Sequence, residues 1–76
     1  MFNELETVVL AHDLKDHNLT RGDVGIVVHS YAGGKAYEVE FVTGEGKTIA
    51  VVTLTNADIR PMERQEILHV RSYAVA

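Results

Sequence analysis

Ala36-Tyr37-Glu38-Val39-Glu40-Phe41-Val42 is the stretch whose reading decides the fold. Tyr37, Val39 and Phe41 alternate with Glu38 and Glu40, so period-two geometry sends the aromatics and Val39 to one face and both carboxylates to the other. That is a half-buried strand. Upstream, Tyr31-Ala32-Gly33-Gly34-Lys35 sets adjacent glycines where a tight turn needs positive φ without a Cβ clash, and downstream Thr43-Gly44-Glu45-Gly46-Lys47 repeats that chemistry. The incoming arm, Asp23 to Tyr31, is rich in β-branched residues, and the outgoing arm, Thr48 to Leu54, is another apolar run bounded by turns. Asp23 to Leu54 therefore reads as a three-strand antiparallel meander. The inward face of its first arm stays open: Val24, Ile26 and Val28 form one set, Val27, His29 and Tyr31 the other. Gly25 is where a bulge would switch the phase.

Outside the meander, Glu6 to Ala11 reads as a first strand, followed by a polar loop to Arg21 whose Leu14 and Leu19 tuck against the core. Thr55-Asn56-Ala57-Asp58 suits a short helical turn capped by the Thr55 hydroxyl, and Ile59-Arg60-Pro61-Met62 resumes an extended course, with Pro61 at a sheet edge. Five strands in this order, with a long first connection, two hairpins and a helical turn, predict an all-β chain. The expected architecture is a small SH3-like five-stranded antiparallel barrel over residues 1–62. Residues 63–76 are left as a C-terminal extension that packs on the barrel or on a partner. Ile67, Leu68 and Val70 fit a short helix or, with Tyr73, a further strand; β-branched and aromatic residues tip the balance to the strand.

Composition narrows the function classes. A chain of 76 residues has side chains for one core, not for a catalytic domain and a regulatory one. Without cysteine there is no disulfide framework, thiolate nucleophile or Cys-based zinc site. No apolar run approaches a membrane span, and the opening Met-Phe-Asn-Glu-Leu-Glu carries acids where a secretory signal carries Lys or Arg, so the expected location is the cytoplasm, with no membrane partner. A formal charge of −4 opposes a polyphosphate partner, although a local basic patch is compatible with it.

Candidate chemistry is sparse. His12, Asp13 and His17 offer imidazole and carboxylate donors in one loop, but metal sites need converging ligands, and a solvated loop is the better reading. Ser30 follows His29 on a strand, and consecutive strand residues point to opposite faces, so the two cannot act as nucleophile and base. Glu38 and Glu40 share a face but form no acid–base pair without a concave pocket. Neither glycine pair leads into a helix with P-loop residues. The expectation is no enzyme activity, no metal and no cofactor. Arg21-Gly22-Asp23-Val24-Gly25-Ile26-Val27 resembles the glycine-hydrophobic core of KOW elements found in RNA-binding SH3-like barrels. Lys15, Arg21, Lys35 and Lys47 lie near it, offset by Glu38, Glu40 and Glu45. Weak RNA or DNA binding is therefore the alternative reading, and a disfavoured one.

The run Leu14, Asn18-Leu19-Thr20-Arg21-Gly22-Asp23-Val24-Gly25-Ile26-Val27, then Tyr37-Glu38-Val39-Glu40-Phe41, Gly46-Lys47-Thr48 and Val52-Thr53-Leu54, resembles the bacterial domain-of-unknown-function family four-nine-two-six over about Glu6 to Met62. The resemblance implies a small SH3-like barrel without an assigned activity and supplies no catalytic residues. The leading expectation is thus a non-enzymatic protein-interaction module, working as a homodimer or as an accessory or antitoxin-like partner of another protein. Its affinity would come from an exposed sheet edge and the apolar tail. The candidate surface is His12, Asp13, His17, Glu38, Glu40, Ile67, Leu68, Val70 and Tyr73.

Overall fold

Strand-forming residues and turn glycines fall where the pattern demands in the computed structural model, which describes residues 1–73. The strands are β1 (Thr7–Leu10), β2 (Val24–Ser30), β3 (Tyr37–Val42), β4 (Thr48–Leu54) and β5 (Ile59–Pro61). They form one antiparallel sheet in the order β4-β3-β2-β1-β5, in which β2, β3 and β4 are the meander and β5 returns beside β1. No pairing joins β4 to β5 among the described residues, so hydrogen bonds do not close the sheet into a barrel. Each edge strand is bonded on one side only.

The core lies on the inner face. Val8 and Leu10 from β1, Val27 from β2, Tyr37, Val39 and Phe41 from β3, Leu54 and Ile59 are all sealed from solvent, with Leu19 tucked in from the first loop. The open question on β2 resolves with Gly25 and Val27 inward and Val24, Ile26 and Val28 outward. Phe2 joins the core as well: its ring meets Tyr37 edge-on at 5.3 Å, and its N–H donates to the Tyr37 hydroxyl at 3.2 Å. That bond satisfies a phenol that burial would otherwise strand.

Several expectations need correction. Gly25 is not a bulge. The register shift on β2 falls between Val27 and His29, and Gly25 is there for close approach: a Cβ would sit 2.7 Å from Val39 Cγ1 and 2.8 Å from Phe41 Cε1. Thr55 to Asp58 is a hydrogen-bonded turn rather than a helical one, closed by Asp58 N–H to Thr55 O at 2.9 Å. The short 3₁₀ turns lie instead at Lys15–His17 and Ala32–Gly34, the second using positive φ at Gly33 and Gly34.

The tail forms neither strand nor helix from Glu63 to Tyr73; residues 74–76 of the expected extension lie outside the described residues. The neighbouring edge explains why. β5 is three residues long and ends in Pro61, which has no N–H to template another strand. The tail instead crosses outside the sheet, where Ile67 and Leu68 border a recess with Val9 and Val24. Val9 alternates out of the core between Val8 and Leu10, yet it is only 3% exposed.

Candidate functional site

Strand alternation builds an outer face that is apolar and acidic at once. Registered pairing sets Thr7, Ile26, Glu40 and Val51 side by side across β1, β2, β3 and β4, with His29, Glu38 and Thr53 in a neighbouring row. Val24, Ile26, Val28, Val42 and Val51 are all substantially solvent-exposed. The two carboxylates among them are held in place by hydroxyls: Thr48 Oγ1 donates to Glu40 Oε2 at 2.6 Å, and Thr53 Oγ1 donates to Glu38 Oε1. None of the ion pairs among the described residues includes either glutamate. A patch of this kind presents fixed acceptors on a hydrophobic ground.

A second set of acids does structural work. In four turns the carboxylate at position i+3 accepts the backbone N–H of position i: Glu6 from Asn3 at 3.0 Å, Asp23 from Thr20 at 2.8 Å, Asp58 from Thr55 at 2.9 Å and Glu66 from Glu63 at 2.7 Å. Each turn is also closed in the opposite sense by the N–H of i+3 on the carbonyl of i. The first three lead directly into β1, β2 and β5, and the fourth leads into the apolar tail. This is the reciprocal logic of a capping box, used here to start strands.

Three of those four carboxylates also take a cation from elsewhere in the chain. His12 Nε2 lies 2.6 Å from Asp58 Oδ1, Arg60 makes a two-pronged contact with Glu66 at 2.8 and 2.7 Å, and Arg71 grips both oxygens of Asp23, through Nε at 2.8 Å and through Nη2. The bond from His12 to the Asp13 carbonyl, with Asp58 in support, raises the imidazole pKa above its usual 6.5. The Thr55 N–H chiefly lowers Asp58, against partial desolvation, and His12 adds to it. For Asp23 partial burial pushes upward, but the bonds from Arg71 and Thr20 together outweigh it and leave a net lowering. Arg60, aided by the Glu63 N–H, holds Glu66 down at about 2.

The tail is thus fastened by side chains. Besides the two guanidinium contacts, Arg71 Nη2 reaches Asn18 O at 3.1 Å and the Tyr73 hydroxyl donates to His17 O at 2.9 Å. Between the tail and the β3–β4 hairpin runs a cleft of about 340 Å³, bordered by Val24, Phe41, Val42 and Ile49 on one side and by Leu68, Val70 and Tyr73 on the other.

The residues singled out from sequence scatter over three places. His12 goes to Asp58, Asp13 accepts the Arg21 N–H at 2.8 Å, and His17 offers its carbonyl to Tyr73. No three His, Asp or Glu side chains converge on a possible metal position among the described residues. Glu38 and Glu40 lie on the outer face, while Leu68, Val70 and Tyr73 flank the cleft and Ile67 points to solvent at 91% exposure. Sequence reasoning missed Val24, Ile26, Val42 and Val51 as surface, and Asp23, Asp58 and Arg71 as fasteners. The repeated Thr-x-x-Asp at Thr20–Asp23 and Thr55–Asp58 is the signal that points to the clamps.

No helix among the described residues is long and apolar enough to cross a membrane. No curated protein and no solved structure matches the chain. Residues 4–61, which carry all five strands and two of the four clamped turns in full, match the family described as Domain of unknown function (DUF4926), and the chain belongs to that family.

Proposed function

We propose that this protein is a non-enzymatic interaction module whose outer sheet face binds a segment of a partner protein that presents Lys or Arg between apolar side chains. The observation that carries the reading is the fixed pair Glu38 and Glu40, lacking any cation among the described residues and surrounded by exposed Val24, Ile26, Val42 and Val51. Two positions apart on one strand, the carboxylates stand about 7 Å apart, the side-chain repeat of a facing strand. Charge complementarity sets the sign of the partner. A twofold dimer through this face would bring four carboxylates together, which disfavours a second copy. The return of β5 to β1 supports reading the sheet as an SH3-like barrel, with the face lying outside it.

The test is titration of the full chain with an alternating Lys-Val peptide, followed by amide chemical shifts. Perturbations centred on Ile26, Glu40 and Val51, with at least tenfold weaker binding by a Glu38→Gln/Glu40→Gln chain, are expected. Equal binding by that chain, or perturbations elsewhere, would remove the proposal. Light scattering that shows a dimer dissociated by Val51→Ser would assign the face to a second copy instead.

A further inference from the structure

The cleft beside the tail contains a receptor for a guanidinium, and the chain fills it with its own Arg71. The receiving groups belong to the β1–β2 connection. The 3₁₀ turn Lys15–His17 ends at Asn18 in the left-handed region, φ 56°, and the carbonyls of His17 and Asn18 accept from Tyr73 and Arg71. Terminal carbonyls of a helical turn lack partners within it, so a cationic donor suits them. Asp23 is fixed independently of the tail, because Thr20 N–H donates to Oδ2 at 2.8 Å and Asp23 N–H donates back to Thr20 O at 3.0 Å. A fixed carboxylate beside an outward carbonyl matches the planar fork of arginine and not the point charge of lysine.

The tail is a poor fit to the rest of this place. Val70 is 88% exposed, although apolar Phe41, Ile49 and Val24 border the cleft beside it, and Ile67 is 91% exposed beside the neighbouring recess of Val9 and Val24. No backbone hydrogen bond joins residues 67–73 to the sheet among the described residues. The receptor lies within the family match at residues 4–61 and the tail lies outside it.

We infer that the Asp23–Asn18 socket and its apolar cleft are a binding site for an arginine-bearing apolar segment of a partner protein, with the tail as the occupant that the partner displaces. The incoming arginine takes both oxygens of Asp23 and the Asn18 carbonyl, and its apolar neighbours enter against Val24, Phe41 and Ile49. The site shares Val24 with the outer face but uses neither Glu38 nor Glu40, so failure of the outer-face reading leaves it standing.

The experiment titrates full-length chains with the peptide Ile-Leu-His-Val-Arg-Ser-Tyr and with the same peptide carrying Ala for Arg. Arg71→Ala frees the socket from its internal competitor. That chain should bind the arginine peptide about tenfold more tightly than the unaltered chain, the ratio expected when nine molecules in ten are self-occupied. The alanine peptide should lose this binding, as should an Arg71→Ala/Asp23→Asn chain. Equal affinity of the unaltered and Arg71→Ala chains, or equal affinity of the two peptides, overturns the inference; the peptide comparison needs no variant that must fold. A dimer of the unaltered chain that Arg71→Ala dissolves would make a second copy's tail the occupant and overturn the choice of partner.

Discussion

Tyr37 and Tyr73 each set a phenol against backbone, but the regions around them are held by different forces. Tyr37 is wholly buried in a face built by alternation and accepts a hydrogen bond from Phe2 N–H. Tyr73 is partly buried at the end of a segment that makes no strand, and it donates to a loop carbonyl beside Arg71. The meander rests on apolar area removed from water, an effect that salt does not screen and mild acid does not titrate. The tail rests on exposed ion pairs, which contribute little net free energy and are screened by salt. Ordering each tail residue costs about 1 kcal/mol or more of conformational entropy. The expected result is a cooperative sheet and a strap that opens without unfolding it.

The largest expected effect breaks the meander. Phe41→Ala should cost about 3–5 kcal/mol, comparable with the whole stability of a domain this size, so a denaturant titration should find it largely unfolded. A midpoint close to that of the unaltered chain would show that the sheet is not held by this core. Next comes Gly25→Ala, whose methyl meets Val39 and Phe41 inside van der Waals contact; overpacking of this kind costs about 1–3 kcal/mol. Both should lower the midpoint of sheet and tail together.

Acid should separate the two regions. The carboxyls of Glu66 and Asp23 are depressed in the folded chain, so their contribution is present above the ordinary carboxylate range and is lost as pH falls through the folded values. Tail residues should lose their folded chemical shifts as pH drops from 4.5 toward about 2 while β3 residues keep theirs. Simultaneous loss would join tail and sheet in one unit. The smallest effect has the opposite sign. His12 is raised above 6.5, so the clamp to Asp58 is complete below that value and weakens as pH rises through the folded one. In an NMR titration Asp58→Asn should lower the His12 midpoint, and an unchanged midpoint would detach the histidine from the clamp.

The strands were legible because each advertises itself locally. Alternation at Tyr37, Val39 and Phe41 needs only neighbouring residues to be read, and the turn glycines at Gly33, Gly34 and Gly46 adopt the positive φ expected of them. What escaped depends on residues far apart in the chain. Asp23 and Arg71 are 48 positions apart, and His12 and Asp58 are 46 apart; no local pattern pairs them. Ile67 to Tyr73 has the composition of a strand, but the β5 edge that precedes it is three residues long and ends in Pro61, which the tail's own sequence does not show. The outer face was hidden for the opposite reason: β2 is apolar on both sides, and only the packing of Gly25 against Phe41 shows which set turns outward.

The free side of β4 carries a consequence for handling the protein. Thr48 to Leu54 contains no charge, glycine or proline, and β3 alone satisfies its backbone. It has a register shift at Ile49, near its start, but neither the lysine nor the proline by which sheet edges also block strand-to-strand pairing. Where heating or concentrated stock solution exposes this edge, fibrillar aggregation should begin here; a lysine at outward-facing Val51 is a gatekeeper against it that would also pair with Glu40 and remove the proposed binding face.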